Sequence, residues 1–162
     1  MRSNAISLQG NARAPRRTGG FTLVEMLVVV SIVLVLAMLA GPAFTELTAQ
    51  QRVQLAATDL FTSLLRARSE AIKQNTDVTL APSGTWNAGW VVAAGGSNID
   101  THGATPNIAI TGPALPITYR NSGRVSNAAE PQFTLSATQT SMQRCVKVRL
   151  SGEPVVTKAA CS

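Results

Sequence analysis

The stretch Gly19–Pro42 reads GGFTLVEMLVVVSIVLVLAMLAGP, and its reading decides the architecture. From Phe21 to Ala40 the only polar side chains are Thr22, Glu25 and Ser31. As a helix, a run of this length reaches about 30 Å, the thickness of a bilayer's hydrocarbon core. Met1–Gly20 carries Arg2, Arg13, Arg16 and Arg17 with no acid, and no arginine follows the run until Arg52. Basic residues stay on the cytoplasmic side, so residues 21–40 are expected to cross a membrane once, N-terminus inside. A secretory signal has a shorter apolar core of about 7–15 residues, although Val35-Leu36-Ala37 is a loose match to its cleavage site. A plain signal anchor fits the length but leaves Glu25 unexplained, because a carboxylate near lipid is costly unless paired or interfacial.

Composition narrows the classes further. The chain has 162 residues, enough for one ordinary domain, and a formal charge of +6 that points to an acidic partner. The charge is unevenly placed: +4 in residues 1–20, −1 in residues 21–141 and +3 after that. One His and two Cys exclude a zinc finger or any metal site built on several of these ligands. Seven aromatic residues leave little for base-stacking platforms.

Gly-Phe-Thr-Leu-x-Glu, with its basic flank and apolar run, resembles the class III signal of type IV prepilins and type II secretion pseudopilins. The resemblance implies a leader, residues 1–20, cut by a prepilin peptidase between Gly20 and Phe21, and methylation of the new N-terminus. Glu25 then becomes the acid five residues into the mature chain. A fresh ammonium at Phe21 gives Glu25 a partner, in its own chain or, as the family implies, on a neighbouring subunit where the pairing sets register.

Gly41-Pro42 ends the strictly apolar run. Proline removes a helical hydrogen bond, so a bend near Ala40 is expected, a stop being the alternative. Beyond it Val53, Ala57, Leu60, Phe61, Leu64, Ala71 and Ile72 fall on one helical stripe. Arg52, Asp59, Thr62, Arg66, Ser69 and Lys73 lie largely opposite. One helix is therefore predicted over 21–74, membrane-embedded and then amphipathic, with an exposed Arg66–Glu70 pair.

From Asn75 onward, short apolar runs alternate with Gly, Pro, Asn and Ser. Strands are predicted at 77–81, 89–93, 108–111, 117–120, 132–136, 145–150 and 154–158. Gly95-Gly96 supplies a turn, and from there to Pro106 a mobile loop is expected. The fold class is thus α+β: a long hydrophobic-then-amphipathic N-terminal helix packed on a small antiparallel β-sheet domain over 75–162. Trp86 and Trp90 read as core anchors.

LLRARSEAIKQNTDVTL (64–80), a Trp86-x-x-x-Trp90-Val91 segment and Tyr119–Val125 resemble the GspH/FimT family of minor pilins and pseudopilins. Ala67–Ile72 carries the most specific part of the likeness. With Pro42, it leans toward the type IV pilus members, the type II secretion members remaining close. The resemblance implies a type IV pilin-like fold, other pilin or pseudopilin subunits as partners, and inner-membrane lipid around the helix. It also implies a periplasmic C-terminal domain and final residence in a pilus or pseudopilus.

Cys145 and Cys161 both lie in the part expected to face the periplasm, where an even pair points to a disulfide, two free thiols being the alternative. By loop-closure entropy such a bridge contributes about 3 kcal/mol. No enzymatic constellation is present and no cofactor is implied. His102 stands in a Gly/Thr/Asn stretch with Asp100 two residues away and reads as a solvated loop histidine. DNA is the remaining partner class. FimT-branch relatives carry a Gly-Arg-x-Arg motif linked to DNA uptake, but here Glu153 and Val155 stand where its arginines would fall. Arg144, Lys147, Arg149 and Lys158 are what remains for phosphate contact, and a solvated strand face is the blander reading of them.

Overall fold

In the computed structural model, which describes residues 20–162 without the side chains of 39–43, Leu23–Gln74 forms one helix, α1. The expected leader, 1–20, lies outside the described residues except for Gly20. The helix does not stop at Gly41–Pro42; whether it bends there lies outside what is described. Its start is chemically marked: Thr22 Oγ1 accepts the Glu25 N–H at 3.2 Å, and the Thr22 carbonyl accepts Met26 N–H. Its end is a Schellman motif. Asn75 takes a left-handed φ of 51°, Thr76 N–H returns to Ala71 O, and Asn75 N–H returns to Ile72 O.

The chain divides into two compact units, residues 1–39 and 40–162. In the first, Phe21 and the large apolar side chains from Leu23 to Met38 are exposed. Ser31 donates to Leu27 O at 2.8 Å, so the run carries no stray hydroxyl donor there. Among the described residues no helix is long and apolar enough to cross a membrane. The described side chains of the run end at Met38, two residues before Ala40, where the sequence ends it.

The second unit contains the whole core, which runs from Val53 to Val148. The buried stripe of α1 is made of Val53, Ala56, Ala57, Leu60, Ser63, Leu64, Ala67 and Ala71. Alanine and serine make up most of it, and Val53, Leu60 and Leu64 supply the bulk that reaches the core. Phe61 is only half-buried and Ile72 is 53% exposed, its end packing over Gly123. Ile72 therefore sits at the rim of the stripe and not within it.

Eight strands form two antiparallel sheets among the described residues. The first has the order β3-β2-β1-β5 and uses β1 (Val78–Ser83), β2 (Thr85–Ala94), β3 (Ser97–His102) and β5 (Ile117–Tyr119). The second has the order β4-β6-β7-β8 and uses β4 (Ala109–Thr111), β6 (Gln132–Ser136), β7 (Gln143–Val148) and β8 (Pro154–Thr157). Trp90, Tyr119, Phe133, Leu80 and Ile117 fill the interior from these strands. Trp86 meets Phe133 edge-on at 4.7 Å, so both tryptophans are core residues.

β3 corrects the sequence reading. The stretch after Gly95-Gly96 is a strand and not a mobile loop, pairing Ala94 with Ser97 and Trp90 with His102. Both glycines have positive φ, 54° and 84°, the backbone a tight two-residue hairpin requires. Ser-Asn-Ile-Asp-Thr-His has no apolar alternation because β2 supplies the buried side of the hairpin, which is why its pattern reads as a loop.

Candidate functional site

The N-terminal site is built from Gly20 to Glu25. Gly20 and Phe21 are exposed coil, Phe21 at 75%, and among the described residues nothing lies within 4 Å of where a Gly20 side chain would be. None of the described residues covers the peptide bond joining them. Two residues later the cap closes and Glu25 sits in the first turn of α1. Thr22-x-x-Glu25 has capping-box spacing, and the helix dipole favours a carboxylate there. Thr22 is a site residue that the sequence reading passed over, although Thr three residues before Glu is a legible signal.

The body carries a second group of named residues. Cys145 and Cys161 form a disulfide. Cys161 N–H donates to Thr134 Oγ1 at 3.2 Å, so the tail crosses the outer face of the second sheet from β8 to β6. On one side of this strap is a trough of about 600 Å³ walled by Pro113, Leu115, Ala128 and Pro131. On the other is one of about 300 Å³ along Lys147, Val155 and Thr157.

The four cations named for phosphate contact are dispersed by this geometry. Arg144 is buried and donates through Nη2 to Gln54 Oε1 of α1 at 2.7 Å. Lys147 Nζ lies 2.9 Å from Glu130, and Arg149 Nη1 lies 2.9 Å from Glu153. Lys158 is exposed past the end of β8. Only Lys147 and Arg149 share a trough, each beside its own carboxylate. The hydrogen bond from Lys147 holds the Glu130 carboxyl below its ordinary pKa.

A third arrangement escaped the sequence. The His102 ring stacks on Trp90, centroids 4.0 Å apart and planes 5° from parallel. Its Nε2 lies 3.3 Å from Asp59 of α1, and its Nδ1 lies 2.8 Å from Gly103 O. Trp90 Nε1–H donates to Ser63 Oγ of α1 at 2.9 Å. Arg66 meets Asp100 at 3.1 Å, while Glu70 takes Gln74 and Lys73 instead. The expected Arg66–Glu70 pair is thus replaced by one that ties α1 to β3, because the hairpin brings Asp100 over the helix. His102 is a docked strand residue and not a solvated loop histidine. No spacing rule reveals either contact, since both depend on where β3 lies.

A further clamp holds the far end. Arg68 Nε donates to Gly123 O at 3.1 Å and Nη2 to Ser151 O at 3.4 Å. Gly152, at φ 86°, lies so close to Gly123 that a side chain there would overlap its carbonyl oxygen. Among the described residues no group of three His, Cys, Asp or Glu side chains comes together to hold a metal.

A helix headed by Gly-Phe-Thr-Leu-x-Glu, packed by its second half on antiparallel sheets, defines a type IV pilin-like subunit. The family model described as Type II transport protein GspH matches residues 56–152, more than half of the chain, and the chain belongs to that family. The prokaryotic N-terminal methylation motif matches residues 15–41. No curated protein sequence matches the chain. Among solved structures, the type IV minor pilin FimU of Pseudomonas aeruginosa matches with a TM-score of 0.61 at 20% identity, covering 72% of this chain and 97% of that one. The minor pseudopilin EpsH from the Vibrio cholerae type 2 secretion system matches with a TM-score of 0.54 at 13% identity, covering 66% and 97%. These likenesses are of fold. With the methylation motif, they mark a membrane-anchored subunit of the pilus and pseudopilus class.

Proposed function

We propose that this chain is a minor subunit of a type IV pilus, made as a prepilin and built into the filament by its N-terminal helix. The observation that carries the reading is the N-terminal site: an exposed Gly20–Phe21 bond, a capped helix start and Glu25 in the first turn. A prepilin peptidase cuts after Gly20. The helix then holds the subunit in the inner membrane, N-terminus cytoplasmic and β domain periplasmic, until Glu25 pairs with the N-terminal ammonium of a neighbour. A carboxylate at a helix start and a free ammonium attract one another strongly in an apolar setting, so the pair fixes register. The protein acts by assembly and not by catalysis. A type II secretion pseudopilin is the second reading, favoured by the GspH family match itself.

Glu25→Ala is expected to leave the protein processed and membrane-bound while incorporation into sheared filaments falls severalfold. Normal incorporation sinks the pairing. Gly20→Asp is expected to block processing, and intact cleavage in that variant sinks the prepilin reading itself. Deleting the gene separates the two machines: lost surface piliation with normal secretion supports the pilus, and the reverse supports the pseudopilus.

A further inference from the structure

A sheet edge presents backbone N–H and C=O groups from alternate residues, and natural edges are blunted against unwanted pairing. Among the described residues, three of the four edges are closed by a hydrogen-bonded cap or a bulge. At β5, Ser126 N–H donates to Thr118 O at 2.9 Å and Asn127 Oδ1 takes Thr118 N–H at 3.3 Å. At β4, Asn87 Oδ1 takes Ile110 N–H at 2.7 Å. β3 is broken by an extra residue, Ile99, and Asp100 takes Thr101 N–H at 3.0 Å. Among the described residues β8 has neither a side-chain cap nor a bulge; only its length of four residues and Pro154, which lacks an N–H, limit it, and the backbone groups of Val156 are left open.

The ladder fixes which groups of β8 face outward. Val148 N–H donates to Pro131 O next to β6, and Arg149 N–H donates to Glu153 O beyond the start of β8. Even-numbered residues of β7 therefore bond toward β6 and odd-numbered ones toward β8. With Lys147 opposite Val155 and Cys145 opposite Thr157, those two β8 residues are spent on β7. Pro154 C=O and both backbone groups of Val156 point away from it. Val156 is 40% exposed, although its partner Val146 is fully buried.

We propose that the outer edge of β8 is a strand-addition site at which two copies of this chain pair antiparallel about Val156. The edge is self-complementary. On a two-fold axis through Val156, its N–H and C=O exchange with those of the same residue in the second copy. Pro154, which has no N–H to give, falls opposite Lys158, whose N–H its carbonyl can take. Val155 falls opposite Thr157, a β-branched pair. No two like charges face each other along the strand, since Pro154–Thr157 carries none. The pairing also covers the apolar side chain of Val156. This inference stands on β8 alone and does not depend on the machine the subunit serves.

Sedimentation equilibrium on the full chain held in detergent micelles tests it. A reversible dimer that grows with concentration is expected. Val156→Pro removes an outward N–H that β7 does not use, and Val156→Lys places a charge on the edge. Val156→Pro is expected to weaken association by about tenfold or more, as loss of two hydrogen bonds would, and Val156→Lys is expected to weaken it through repulsion between the two copies, with circular dichroism unchanged. If the proline variant misfolds, the lysine variant decides. Under oxidation Val156→Cys is expected to give a covalent dimer and Lys147→Cys, away from the edge, is not. A wild-type chain that stays monomeric at its solubility limit overturns the proposal, as does a dimer indifferent to Val156→Lys.

Discussion

The Tyr119 hydroxyl is buried without a hydrogen-bond partner among the described residues. Burial pushes its pKa above the ordinary tyrosine value, with Arg68 opposing. An unpaired buried hydroxyl contributes a desolvation cost and no bond. Tyr119→Phe is therefore expected to leave the melting temperature of residues 44–162 unchanged or higher. A fall of several degrees would contradict this. Glu130 shows the opposite case. Because its folded pKa is depressed, chiefly by Lys147, its contribution is present above the ordinary value of 4.5 and is lost as pH falls through the folded value. Glu130→Gln should thus lower the melting temperature slightly at pH 7 and by less as the pH falls, and Lys147→Met should weaken that pH dependence.

At the scale of elements, the disulfide is the strongest single device in the second sheet. It ties the tail to β7, beside β8, and closes a loop of 16 residues. Cys161→Ser is expected to lower unfolding free energy by about 3 kcal/mol in denaturant titration. An effect under about 1 kcal/mol would mean that the Thr134 contact alone holds the tail. Element placement also shows what a sequence conveys. Helix α1 was legible because its apolar spacing and the Asn75 terminus are local signals. The strands Gln132–Ser136 and Pro154–Thr157 were legible by texture. β3 was not, since its pattern has meaning only beside β2, and with it went Asp100 and His102 as helix contacts. Glu25 was readable from its anomaly in an apolar run. The burial of Arg144 was not, because its partner Gln54 is 90 residues away.

At the scale of the whole molecule, every residue of the core lies in the second unit. Residues 44–162 made without the N-terminal segment are expected to fold and melt cooperatively, as followed by circular dichroism, and a broad or absent transition would show that the first unit is needed. The tail strap has a practical consequence. Because the disulfide holds Cys161 over the middle of the outer sheet, anything fused after Ser162 emerges between the two troughs and not at a free end. A terminal affinity tag would then shade Leu115 on one side and Lys147 on the other.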